Sequence, residues 1–186
     1  MIALVMSVSL PMTTYAANWY LEDGSVTVNA DNSGQTVTQG SGSAVPDEAP
    51  VITQRESSVE TGNTITINAA ENATANVTIS DVNINTSGKS GKSEAAVSTN
   101  GKGNVNIELD GTNTLKSRVD HAALEKNSDG NQGKLTITDE NENGKLIATG
   151  GSDAAGIGGG YESGAGNIEI TGGTVEAVGG EGAAGI

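Results

Sequence analysis

The chain has 186 residues, no Cys, no Phe, one Trp, three Tyr and 27 Gly, with a formal net charge of −14. Such a composition excludes a disulfide scaffold, a thiolate metal site and a core built around large aromatic rings. The acidic excess, with no Lys or Arg before Arg55 and no basic stripe, also excludes nucleic acid as a partner.

In chain order, 1-MIALVMSVSLPMTTYAAN-18 reads as a secretory signal. Its apolar run from Ile2 to Met12 is too short to span a bilayer, and small residues invite cleavage after Ala16 or Ala17. Export follows as an expectation, with residues 1–17 as the signal and no membrane span in the mature chain. Residues 18–62 are less regular. Short strands are expected at 25-SVTV-28, 35-QTVT-38 and 50-PVIT-53, within an N-terminal capping region that holds an early imperfect coil. The segment 63-NTITINA-69 leads into a regular stack over 63–186.

Four alternating segments then recur: 76-NVTIS-80, 104-NVNIELDG-111, 134-KLTITDENENG-144 and 167-NIEITGG-173. Their first apolar residues, Val77, Val105, Leu135 and Ile168, are spaced 28, 30 and 33 apart. A second short run follows each one: 82-VNINTS-87, 113-NTLKS-117, 145-KLIATG-150 and 174-TVEAVGG-180. An Ala-Ala pair then marks each unit, at Ala95, Ala122, Ala154 and Ala183. Three short strands in a unit of about 30 residues predict an all-β parallel β-helix, a solenoid whose aliphatic rows stack coil upon coil. Val77, Val105, Leu135 and Ile168 are expected to form one inward column, with Thr78, Asn106, Thr136 and Glu169 facing water. A lone coil cannot offset its own ordering entropy, so the coils must stack.

The glycine run in 154-AAGIGGGYESGAGNIEITGG-173 does not fit a nucleotide loop. G-x-G-x-x-G cannot be laid on Gly156 or Gly158, and no Lys-Ser/Thr follows Gly164. Glycine is expected instead at sharp bends with positive φ. Since the sequence stops at Ile186 within an Ala-Ala-Gly-Ile unit, further coils are expected, the chain being a monomer within a longer protein.

Residues 153–186, with 76-NVTISDVNI-84 and 104-NVNIELDGTNTL-115, resemble the glycine-rich coils of clostridial and related Gram-positive surface proteins, a carbohydrate-binding parallel β-helix family. The likeness covers roughly residues 63–186. It implies an extracellular right-handed β-helix that binds acidic polysaccharide and calcium, and its relation to pectate-lyase-like enzymes keeps a calcium-dependent lyase as an alternative.

Candidate chemistry is sparse. Residues 139-DENENG-144 match the first half of a calcium loop, with Asp139, Asn141 and Asn143 as oxygen donors, but Gly150 stands where the loop needs a bidentate Glu. A polar turn is the other reading. Calcium on other turns would fall to Asp110, Asp153 or Glu162. The single histidine, His121, is expected in an exposed turn. Arg118 with Asp120, or Lys134 with Asp139, are the pairings a lyase would draw on. Glu108 and Glu169 face outward two coils apart, a separation open to an inverting glycosidase. Tyr161 beside Glu162 is the candidate sugar contact, because sugar rings stack on aromatic faces. The segment 136-TIT-138 is similar to one rung of a flat ice-binding ladder, but Asn106/Glu108 and Glu169/Thr171 interrupt it on the neighbouring coils. The reading is a secreted or cell-surface scaffold, without catalysis, that binds carbohydrate or acts as an adhesin. A passive stalk is the remaining alternative.

Overall fold

The computed structural model describes residues 16–88, 94–128 and 133–186. Nearly all of the expected signal segment lies outside them. Seventeen strands follow in order: β1 (Asn18–Tyr20), β2 (Val26–Asp31), β3 (Gly34–Gln39), β4 (Val45–Pro46), β5 (Val51–Thr53), β6 (Ile65–Ala69), β7 (Thr74–Ser80), β8 (Asn83–Asn85), β9 (Val97–Asn100), β10 (Asn104–Asp110), β11 (Thr112–Lys116), β12 (Leu124–Glu125), β13 (Leu135–Thr138), β14 (Lys145–Thr149), β15 (Ile157–Gly158), β16 (Ile168–Ile170) and β17 (Thr174–Val178). One 3₁₀ turn, Leu21–Asp23, joins β1 to β2.

These strands form a parallel β-solenoid of about five turns. The first sheet runs β1-β5-β7-β10-β13-β16 and the second β8-β11-β14-β17. The third runs β15-β12-β9-β6-β2-β3-β4. Alternation sets the inside. In β10, Val105, Ile107 and Leu109 are buried while Asn106, Glu108 and Asp110 face outward, and β7 and β13 repeat the pattern. The short third strands begin just after the Ala-Ala pairs, where Ala96, Ala123 and Ala154 are buried. No buried side-chain nitrogen or oxygen among the described residues lacks a hydrogen-bond partner.

The inward column differs from the sequence alignment at one place. Val105, Leu135 and Ile168 do stack, but the residue beneath Val105 is Ala75. Val77 instead heads the next column, with Ile107, Ile137 and Ile170, at spacings of 30, 30 and 33. The sequence match of 76-NVTI to 104-NVNI is therefore two residues out of register. A slip of two preserves which face each side chain takes, so the solenoid is unaffected.

Within 18–62, β1 and β2 belong to one turn and β5 to the next, with Thr61 bridging to Ile84 of the second sheet. β3 and β4 break the pattern. They pair antiparallel on the outer edge of β2 and cover that end of the third sheet. At the other end, the inward Ile170 is 37% exposed, while Val178, opposite the outward Thr149, is 46% exposed.

The glycines act mainly by close approach. In 156-GIGGG-160 only Gly158 has positive φ. A Cβ on Gly159 would lie 2.0 Å from the Ser163 carbonyl oxygen, and one on Gly151 would lie 1.8 Å from that of Arg118. Much of the left-handed backbone is carried instead by Asn72, Asp81, Asp120, Glu142, Asp153, Glu162 and Asn167. Bends expected of glycine are thus shared with Asp and Asn, which tolerate this region better than most residues, and with Glu142 and Glu162.

Candidate functional site: a polar groove on the first sheet

The outward face of the first sheet forms an open groove of about 690 Å³. Parallel register builds it in rows. One row is Asn76, Asn106, Thr136 and Glu169; the next is Thr78, Glu108 and Thr138. Each row runs along the solenoid axis, with about 4.8 Å between rungs. Asn106 Nδ2 donates to Asn76 Oδ1 at 2.9 Å, which fixes both amides. Glu108 is held by two donors: the Thr138 hydroxyl donates to Oε2, and the Glu140 backbone N–H donates to Oε1 at 2.6 Å. Beyond it, Asp110 accepts from the Ser80 hydroxyl (3.2 Å) and from Asn141 Nδ2 (3.3 Å). Lys134 closes one end by pairing with Glu169 at 2.6 Å, not with Asp139. Both partners are about half exposed, so solvent screens the pair to little net stabilisation. The groove therefore offers fixed amides, hydroxyls and carboxylates, spaced by the strand ladder.

Glu108 and Glu169 lie on different rows of the groove face. Register places Glu169 opposite Thr136 and Glu108 opposite Thr138, so they are two rungs apart and two residues offset along the strand. Their backbones are then roughly 12 Å apart, and the carboxylates have separate partners, Thr138 and Glu140 for Glu108 and Lys134 for Glu169.

The 139–144 segment is a hydrogen-bonded turn. Asp139 accepts from the N–H groups of Asn143 (3.2 Å) and Gly144 (3.1 Å). Asn141 Oδ1 also faces the Asn143 N–H, and Asn143 Oδ1 accepts from Gly111 N–H at 3.2 Å. The three expected calcium donors all accept backbone N–H groups in and beside the turn. Among the described residues no group of three or more His, Asp or Glu is placed to hold a metal ion.

His121 is partly buried, not exposed as expected. Its Nδ1 lies 2.8 Å from Glu125 Oε2, which also accepts from Ala122 N–H. Asn127 bonds the other Glu125 oxygen and accepts from Gly160 N–H. This network ties consecutive turns together at the end of β12.

Tyr161 and Glu162 follow in the loop after β15, away from the groove residues. Tyr161 is 53% exposed, and its backbone N–H donates to the Asp120 carbonyl. A hydrogen bond to Glu162, partial burial and the nearby Asp153 and Asp120 charges hold its hydroxyl above the usual tyrosine range. Glu162 borders a second, shallow hollow of about 530 Å³ with Gly159, Ala183 and Ile186. Tyr161 thus stands outside the groove, whose members no local stretch of sequence brings together. The signal available was the outward polar set at alternate positions of the four repeats, legible only once register is known.

The class that fold and groove define is a parallel β-solenoid with a polar outward face. No family model, curated protein or solved structure matches the chain.

Proposed function

We propose that this protein is a secreted or cell-surface scaffold that binds carbohydrate in the groove of the first sheet, without catalysis. One observation carries the reading: fixed amides and hydroxyls, Asn76, Asn106, Thr136 and Thr138, repeat rung by rung along an open groove. A polyol chain lying along the solenoid axis would meet a new donor–acceptor set at each turn. Export rests on the signal-like opening residues, and the family likeness of residues 63–186 points the same way.

Charge refines the ligand. Glu108 and Glu140 leave the groove acidic, since Lys134 is already paired with Glu169. Neutral polysaccharide suits this surface directly; an acidic chain would need a bridging cation such as calcium. A glycan array probed with and without calcium tests the reading. Retention of neutral glycans that weakens roughly three- to tenfold in Asn106→Ala supports it, as expected for about one lost hydrogen bond. Silence across the array in both conditions overturns it and favours a passive stalk.

A further inference from the structure

A second outward face carries a regular lattice that the groove does not use. On the third sheet, register sets Thr38, Thr27, Thr66 and Ser98 in one row. Thr36, Asn29, Asn68 and Asn100 make the row beside it. All eight residues are exposed or half-exposed. The amides link head to tail: Asn100 Nδ2 donates to Asn68 Oδ1 at 3.1 Å, and Asn68 Nδ2 to Asn29 Oδ1 at 2.8 Å. The Ser98 hydroxyl donates to that of Thr66 at 3.4 Å. None of the eight is Asp or Glu, and the carboxylates nearest in register are Asp31, next outward on β2, and Glu125, which continues the first row beyond Ser98. The third sheet thus carries a row of three threonines and a serine beside a row of one threonine and three asparagines.

We propose that this face binds the surface of ice. Rungs are about 4.8 Å apart, and outward neighbours on one strand are about 6.7 Å apart. Both repeats lie near those of oxygen atoms on a prism face of ice. β-Branched threonines hold few χ1 states, and the amide ladder immobilises the asparagines, so little side-chain freedom is lost on contact. Neutrality matters as well, because a charged group would keep a hydration shell out of step with the crystal. A packed polysaccharide surface lacks these two repeats in water oxygens and is the competing outcome.

The test uses the full chain in ice-recrystallisation and thermal-hysteresis assays. The native protein is expected to arrest crystal growth, Thr66→Lys to lose this, and the first-sheet variant Asn106→Ala to keep it. Circular dichroism checks that each variant is folded; Asn29→Lys, at an exposed position, replaces Thr66→Lys if that chain does not fold. Crystal growth indistinguishable from that in serum albumin overturns the proposal. So does full activity in a folded Lys variant, or binding to crystalline cellulose through this face with no effect on ice. Glycan binding in the first-sheet groove is read separately and stands or falls on its own array.

Discussion

Single residues hold this solenoid together where two turns of backbone nearly touch. Gly151 is buried against the Arg118 carbonyl, with no room for a methyl group. Gly151→Ala is expected to destabilise the protein by about 3 kcal/mol, read from the urea midpoint, because neither backbone can yield without breaking the ladder. Charge acts at one corner of the first two turns. Arg55 makes two hydrogen bonds to Asp23, at 2.7 and 3.0 Å, and lies over the Tyr20 ring. The hydrogen bond from Arg55 holds the Asp23 carboxyl below its ordinary range. A depressed carboxylate stabilises the fold above its unfolded pKa, and that contribution is lost as pH falls through the lower folded value. Melting temperatures of native protein and Arg55→Ala are therefore expected to differ at pH 7 and to converge in acid below the usual Asp pKa. A constant difference across that range would show that Arg55 acts through packing alone.

At the level of strands, position in the stack decides what an aliphatic residue contributes. Ile107 is fully buried, between Val77 and Ile137 in the same column. Ile170 ends that column and is 37% exposed. Ile107→Ala is expected to cost about 2–5 kcal/mol, and Ile170→Ala no more than about 1 kcal/mol, by urea unfolding. Equal costs would contradict the observed column. The existence of these strands was legible in the sequence, because period-two alternation recurs with a near-constant spacing. Their exact partners were not. Val77 and Val105 each follow an Asn, and that local likeness outweighed the two-residue offset that pairing imposes. Nor did the sequence reveal Asn113, fully buried at a corner. It donates to the carbonyls of Asp110 and Lys145 and accepts from Val82 N–H, so it joins three turns. Read alone, 113-NTLKS-117 gives no hint that its first residue points inward. The groove was hidden for the same reason: its members lie about 30 residues apart and become neighbours only through stacking.

Across the whole molecule, repetition gives the two outward faces different characters on one frame. The first sheet collects carboxylates and a lysine beside its amides, while the lattice on the third sheet is uncharged. A linear ligand in the groove meets equivalent rows on β7, β10 and β13, whose outer strands are roughly 10 Å apart. Affinity for neutral oligosaccharides is accordingly expected to rise with chain length until that span is filled, then level off, as isothermal titration of a length series would report. Affinity independent of length would place binding at a single pocket instead.

The hairpin of β3 and β4 has a consequence for crowded solutions. An unguarded strand edge is a template on which other chains can add and grow. Here the outermost strand of the third sheet is two residues long and ends in Pro46, which has no amide hydrogen to offer. That flank is a dead end for recruitment, so fibril growth seeded through the third sheet finds no foothold there.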